Sequence, residues 1–356
     1  CFQAEDLQYF DVWCEIHHTG LAGTHRNKGM EWFRPKETIE AAHEVRRSVP
    51  HVTPPFSYAQ TEFPLDDYST GLVTGQTVRF LEEQGDRPFA LWVSYPDPHS
   101  PYECPLEYAN RLDQPSLKLP RFEHSDLNQL PERNRCLEHI MSVRGCSDDH
   151  LRGVLATYYG MIQFIDDGIG QILDALARTN LADDTIVVFC SDHGDFMLER
   201  GIISKGGVFY DSLTHVPLIV SNPTEENPGS IESTPVSLLD ILPTVLDLQG
   251  IEAPRGVAGR ALSSVAPDEG ERFVFSEYGA GGPLFSMADL EKLSESRGKK
   301  VLLQTLQWRE AEGRRKMVKS RNWKYTYDPD DPVDELYDLR ADPEERVNVA
   351  SENPEK

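Results

Sequence analysis

Two side chains that can bind a metal ion follow an apolar run in the middle of the chain. The run 185-TIVVFC-190 is rich in β-formers, and Asp192 and His193 come directly after Ser191. A carboxylate and an imidazole are both ligands of divalent cations, and Gly194 lets the backbone turn close to such an ion. The pair alone leaves another interpretation open, in which Asp192 caps a turn and His193 is a solvated loop residue.

Three further residues could act on an anionic group. Lys205 is followed by Gly206 and Gly207, and a lysine on a glycine-flexed loop can reach an anion as a compact point charge. His99 could exchange a proton with a leaving oxygen near neutral pH. His215, just before VPLIV, is a candidate for substrate contact. Taken singly, Lys205 could be a surface lysine, His99 a turn residue and His215 a partly buried histidine.

These residues need a scaffold that brings strand ends together, and the chain predicts one. Continuous apolar runs are typical of strands buried on both faces, and three occur: 88–95, 185–190 and 216–221. Helical spacing of apolar residues predicts three helices: 67–84, 151–181 and a short one within 235–254. Strands alternating with long helices predict an α/β fold with parallel strands, in which ligands bind beyond the carboxyl ends of the strands.

The rest of the chain suggests a second, smaller domain. Residues 298–326 show basic, strand-like alternation, and residues 328–350 are rich in turn formers. We predict a core domain over 1–265 and a small antiparallel subdomain over 266–356. Residues 112–150 read as irregular and polar.

Composition and charge exclude several classes of function. The formal net charge of −24 argues against nucleic acid and anionic membranes as partners. No run of about 18 apolar residues is present, so no membrane span is expected. Six cysteines are too few for a disulfide scaffold, and Cys190 is expected to be a buried free thiol. Compartment and oligomeric state are left open.

The order of the motifs resembles the sulfatase branch of the alkaline-phosphatase-like hydrolases, which includes arylsulfatases and phosphonate or phosphodiester monoesterases. The resemblance rests on PHSPY at 98–102, TIVVFCSDHGD at 185–195, the Lys205 loop, HVPLIV at 215–220 and ELYDL at 335–339. It runs from about residue 85 to the end of the chain. It implies an alkaline-phosphatase-like core, a mixed and mainly parallel sheet flanked by helices, with a small C-terminal antiparallel subdomain.

The resemblance also implies roles for single residues. Asp192 and His193 match metal ligands, Lys205 matches a lysine that holds a sulfate or phosphate oxygen, and His99 matches a histidine near the ester oxygen. Ca²⁺ is the expected ion and Mn²⁺ the alternative, since an imidazole nitrogen pulls toward Mn²⁺ or Zn²⁺. The expected substrate is a small-molecule or carbohydrate sulfate ester.

Part of the family's machinery is not recognisable in this sequence. The family's nucleophile is a formylglycine made within C/S-x-P-x-R, and no cysteine or serine here has that Pro and that Arg after it. No Asp pair follows a predicted strand in the way the family's first metal ligands do. We therefore expect an N-terminally truncated chain that is inactive alone, with the formylglycine upstream. A phosphodiester or phosphonate monoester hydrolase and a non-catalytic binding or remnant protein are the alternatives.

The N-terminal stretch holds three further histidines, His17, His18 and His25. Such a group could bind a metal ion, but the spacing fits no established ligand pattern. We predict that they lie in a solvated loop. Together with residues 103–150, this stretch is a candidate for setting substrate specificity, because fold alone does not determine it.

Overall fold

The structure is a computed structural model that describes residues 6–12, 35–51, 55–120, 130–224, 228–265, 271–279, 286–297, 313–353 and 355. The chain forms two compact units, Cys1–Leu119 with Arg144–Asp184 and Pro120–Val143 with Thr185–Lys356. The predicted boundary between residues 265 and 266 stays a prediction. No helix in the described ranges combines the length and the apolar character that crossing a membrane requires.

A long helix organises the first unit. The elements of this unit are α1 (Lys36–Ser48), β1 (Tyr58–Thr61), α2 (Ser69–Gln84), β2 (Tyr102–Pro105), α3 (Leu106–Ala109) and α5 (Asp148–Arg178). The Ser147 side chain caps α5 by accepting a hydrogen bond from the backbone N–H of His150 at 3.2 Å. The strands β1 and β2 pair in parallel. Tyr68, Tyr108 and Phe164 form a buried cluster in which the residue just before α2 packs with α3 and α5.

The second unit contains two sheets. Its elements are α4 (Glu132–Met141), β3 (Val187–Cys190), α6 (Asp211–Thr214), β4 (Leu218–Ser221), α7 (Ile241–Leu248), β5 (Val274–Tyr278), α8 (Met287–Arg297), β6 (Arg315–Lys319), β7 (Trp323–Tyr327) and β8 (Glu335–Asp338). The strands β3 and β4 pair with each other in antiparallel register. The strands β5 to β8 form an antiparallel sheet in chain order, hereafter the C-terminal sheet.

Most of the predicted elements are present. The helices predicted over 67–84 and 151–181 are α2 and α5, and the segment 235–254 contains α7, which ends just before Gly250 with its φ of 69°. The runs 185–190 and 216–221 are the strands β3 and β4. The antiparallel tail is confirmed by the C-terminal sheet.

Three predictions of local structure are wrong. Residues 88–95 form no strand, and within the described ranges no strand pairs with them; Leu91 and Trp92 are exposed. Residues 112–150 are not wholly irregular, because they contain α4, whose buried face includes Asn134. Cys190 is a free thiol as expected but is only half-buried.

The direction of β4 also differs from the expected parallel arrangement. A parallel connection must carry the chain back along the whole length of the first strand before the second begins. Here the connection from β3 to β4 begins and ends at the carboxyl end of β3. The backbone N–H of Gly194, just after β3, donates to the carbonyl oxygen of Leu213, just before β4, at 2.8 Å. The chain therefore re-enters beside β3 in the opposite direction.

Candidate active site

Asp192 and His193 lie just beyond the carboxyl end of β3, in the second unit. The backbone N–H of His193 donates to Asp192 Oδ1 at 2.9 Å, and the Ser191 hydroxyl donates to the His193 carbonyl oxygen at 2.9 Å. These local bonds hold the turn and leave both side chains accessible, with 86% of the Asp192 side chain and 40% of the His193 side chain exposed. The pair is therefore within reach of a ligand.

The contacts of the His193 ring fit a metal ligand. Nδ1 lies 2.9 Å from the Gly194 carbonyl oxygen, which can only accept a hydrogen bond. A neutral imidazole in this position therefore carries its proton on Nδ1 and keeps a lone pair on Nε2. Nε2 lies 3.6 Å from Asp192 Oδ2, so a nitrogen and a carboxylate oxygen lie close enough together that both could bind one divalent cation.

The pair supplies only part of a coordination shell. In the portion of the chain that the structure describes, no three His, Cys, Asp or Glu side chains are grouped so that they could hold a metal ion. Catalytic metal sites in proteins use three or more ligands. The donor set of Asp192 and His193 thus fits a divalent cation in its chemistry, and a full site needs further ligands.

Gly194 is required at the turn after β3. A Cβ atom added there would lie 2.0 Å from the Ser212 carbonyl oxygen, closer than any side chain tolerates. The close approach of the two backbones brings the start of β4 to the end of β3, with Cys190 opposite Leu218. His215, three residues before Leu218, is exposed and lies at the same end of the strand pair as Asp192 and His193.

Lys205 is carried by a loop that folds back on itself. The backbone N–H of Phe196 donates to the Ser204 carbonyl oxygen at 2.7 Å, and that of Leu198 donates to the Ile202 carbonyl oxygen at 3.1 Å. These bonds close the loop just before Lys205 and place Asp195 and Lys205 on either side of its base. The two glycines noted in the sequence, Gly206 and Gly207, follow Lys205 and lie outside this hydrogen-bonded part of the loop.

Asp195 is a further candidate residue at this site that the sequence analysis missed. Its carboxylate is largely buried, and Oδ1 makes no hydrogen bond to the part of the protein that the structure describes. Burial raises the pKa of Asp195, and the positive charge of Lys205 acts in the opposite direction. The signal was present in the sequence, since an acid directly before the apolar triplet Phe196, Met197 and Leu198 is placed for burial.

His99 lies in the first unit, so the structure describes it apart from the other site residues. Its backbone N–H donates to the Pro96 carbonyl oxygen at 3.2 Å, and its Nδ1 donates to the Ser100 carbonyl oxygen. As in His193, this bond places the proton on Nδ1 and leaves the lone pair on Nε2. Its predicted role at the ester oxygen stays a prediction. The cluster His17, His18 and His25 lies outside the described residues.

Comparison with known protein families decides the assignment. Residues 15–251 match the model of the family named Sulfatase, which is well over half of the chain. The chain belongs to the sulfatase family. The predicted resemblance is thereby confirmed.

Two curated relatives show how the chain compares in sequence. An uncharacterized sulfatase, YidJ, of Escherichia coli (strain K12) is 33% identical over 208 residues, which cover 58% of this chain and 41% of that protein. A choline-sulfatase of Rhizobium meliloti (strain 1021) is 30% identical over 285 residues, 78% of this chain and 49% of that protein. The chain thus spans about half the length of the curated relatives it matches.

Solved structures show the fold. A phosphonate monoester hydrolase from Silicibacter pomeroyi superposes with a TM-score of 0.67 at 23% identity, covering 87% of this chain and 64% of that one. A 2-O glycosaminoglycan sulfatase superposes with a TM-score of 0.60 at 23% identity, covering 83% and 62%. The alkaline-phosphatase-like fold expected from the motifs is therefore confirmed.

Proposed function

We propose that this sulfatase-family hydrolase cleaves a sulfate ester of a small molecule or a carbohydrate in a reaction that depends on a divalent cation. The observation that carries the proposal is the arrangement at one end of β3 and β4, where Asp192 and His193 converge beside the base of the Lys205 loop. A metal-ligand pair beside a lysine loop suits a substrate that carries a negatively charged tetrahedral group.

Each residue has a distinct role in the proposal. Asp192 and His193 hold the cation, Ca²⁺ in the first instance and Mn²⁺ as the alternative, together with ligands still to be assigned. When bound, the cation would neutralise negative charge on the ester oxygens. Lys205 holds a sulfate oxygen, and His215 contacts the substrate at the same end of the strand pair. His99 handles the proton of the leaving oxygen, and a formylglycine expected upstream is the nucleophile.

The overall charge makes Lys205 important for such a substrate. A protein with a formal net charge of −24 repels anions at long range, so a sulfate ester needs local positive charge at the site. The buried carboxylate of Asp195, at the base of the same loop, adds negative charge near Lys205. The positive charge of Lys205 and the cation together must therefore exceed the negative charge of Asp195 for an anionic substrate to bind.

A phosphodiester or phosphonate monoester is the second candidate substrate. Such esters present a tetrahedral anion to the same groups, and phosphonate monoester hydrolases share the fold of this chain. Sulfate esters come first because both curated relatives described above are named as sulfatases. The two candidates differ in substrate rather than in the residues of the site.

The test is a substrate panel on the protein as its gene encodes it. Turnover of an aryl sulfate, choline sulfate, an aryl phosphodiester and an aryl phosphonate monoester is measured with Ca²⁺ or Mn²⁺ and after chelation. We expect metal-dependent turnover that is fastest with a sulfate ester. Faster turnover of the phosphodiester or the phosphonate would favour the second candidate, and no turnover of any ester would favour a non-catalytic protein.

Lys205→Ala tests the site itself. Removing the ammonium should lower turnover by about 10²-fold or more, because the charge acts on the group being transferred. Lys316→Ala is the matched control, since Lys316 pairs with Glu277 on the exposed face of the C-terminal sheet. Equal turnover of the two variants would show that Lys205 is a surface lysine.

A further inference from the structure

The segment that follows Lys205 is held by the C-terminal sheet. Arg315 on β6 donates from Nη1 to the Gly207 carbonyl oxygen at 3.1 Å, and Lys324 on β7 donates to the Phe209 carbonyl oxygen at 2.9 Å. A Cβ atom added to Gly207 would lie 2.4 Å from the ring of Tyr278 on β5. Residues 207–209 thus contact three strands of this sheet through their backbone.

Arg315 is itself fixed in place. It is 2% exposed, and its Nη2 donates to Glu335 Oε2 on β8 at 2.9 Å. Glu335 Oε1 also accepts from Asn134 Nδ2 at 2.8 Å and from the Tyr337 hydroxyl at 2.8 Å. A buried charge pair whose oxygens are satisfied in this way is rigid, because every alternative position leaves a charge unpaired. Through its contact with the carbonyl oxygen of Gly207, Arg315 therefore holds the backbone in place at that residue.

The ammonium group of Lys205 is not held by any partner in the described part of the chain. Within the described part of the chain its ammonium makes no hydrogen bond and no ion pair within 4.0 Å, although the charge of Asp195 acts on it. The position of the ammonium therefore depends on the backbone that carries it. That backbone is closed on one side by the bond from Phe196 to Ser204 and held on the other by Arg315 at Gly207.

We propose that Arg315 is a positioning residue for Lys205 and that the pair Arg315–Glu335 makes the C-terminal sheet part of the catalytic machinery. This inference rests on the role proposed for Lys205. Loss of the contact to Gly207 would leave the Lys205 side chain unchanged but would allow the backbone that carries it to shift. A displacement of about 1 Å at a catalytic group can cost on the order of 10²-fold in rate.

The first experiment needs no substrate. Hydrogen exchange of the backbone amides of 205–211 is compared between the wild type, Arg315→Met and Arg46→Met. Arg46 forms a buried ion pair with Glu103 at 2.8 Å in the first unit, so its variant is a control for the loss of a buried pair elsewhere. We expect faster exchange across 205–211 in Arg315→Met alone. Exchange at the wild-type rate in that variant would overturn the inference.

The second experiment is a double-mutant cycle in turnover. Arg315→Met should lower kcat by about 10-fold to 10²-fold in the wild type and have little further effect when combined with Lys205→Ala, because it acts through Lys205. A merely structural Arg315 would give losses that add. Arg315→Lys, which keeps the charge and a single donor, should fall between the wild type and Arg315→Met and is measured in case Arg315→Met does not fold.

The outcomes separate this inference from the proposed function. Wild-type turnover in Lys205→Ala would remove the role of Lys205 and the inference with it. A loss in Lys205→Ala, together with additive losses in the cycle, would overturn the inference and leave the proposed function standing. Coupled losses, with faster exchange in 205–211, would support both.

Discussion

We predict that removing the negative charge of the buried Glu335 carboxylate lowers the free energy of unfolding by a large amount. Glu335→Gln keeps the size of the side chain but puts an amide where Arg315, Asn134 and Tyr337 all donate. An amide has one acceptor oxygen instead of two, so at least one donor loses its partner. The Arg315 cation would then be buried without a counter-charge, which costs about 3–5 kcal/mol.

A second ion pair on the same sheet provides the reference. Glu277 and Lys316 lie 2.8 Å apart, nearly the distance between Glu335 and Arg315, but their side chains are 72% and 58% exposed. Water and salt screen such a pair, so Glu277→Gln should cost about 0–1 kcal/mol. The two substitutions make the same chemical change and differ in burial, since Arg315 and Lys316 point to opposite faces of β6.

Urea unfolding followed by circular dichroism measures the difference. With a slope of about 1–3 kcal/mol per molar urea, the midpoint of Glu335→Gln should fall by about 1 M or more, and that of Glu277→Gln should move much less. The total free energy of unfolding of a domain is about 5–15 kcal/mol, so the first loss is a large part of it. Equal midpoint shifts in the two variants would refute the claim that burial makes the Glu335 pair costly to break.

Three further predictions concern the site and the pH dependence of stability. Asp192→Ala should lower bound metal and turnover together, measured by elemental analysis and by aryl sulfate hydrolysis; unchanged metal content would remove Asp192 as a ligand. His99→Ala should slow substrates with basic leaving groups more than those with good ones, and a uniform loss across a leaving-group series would argue against a proton donor. Burial raises the pKa of Asp211, but Lys324 and Lys319 outweigh it, so the pKa lies below its usual range. The stability this gives is complete above about pH 4 and is lost as pH falls through the lowered pKa, so Asp211→Asn should flatten the acid side of the unfolding midpoint against pH.

The long helices could be predicted from the sequence because their packing is encoded locally. In α5 the apolar residues recur at helical spacing over thirty-one residues, and Ser147 with the two acids after it marks the start. α4 could not be found in this way. Its buried face includes the polar Asn134, which is buried because it donates to Tyr210 and Glu335, residues far away in the chain.

Strands were harder to predict because a strand depends on a partner. Residues 88–95 have the apolar composition of a buried strand, yet the described chain places no strand beside them. The short strand β1 was missed, since Tyr58–Thr61 is half polar and gains its pairing from β2, more than forty residues later. The burial of Asp195 could not be predicted for the same reason: it depends on the loop between Phe196 and Ser204 folding back on itself.

The direction of β4 decides which residues can share the site. In a parallel arrangement, side chains that follow β3 and side chains that precede β4 lie at opposite ends of the strands. The four residues of strand alone would then put about 13 Å along the sheet between the end near His215 and the end near Asp192, at about 3.3 Å per residue. The antiparallel register, with Cys190 opposite Leu218, removes that distance and places His215 at the end where Asp192 and His193 lie. A role for His215 in binding substrate beside the proposed metal ligands, Asp192 and His193, therefore depends on the reversal that Gly194 permits, since any larger residue there would strike the Ser212 carbonyl oxygen.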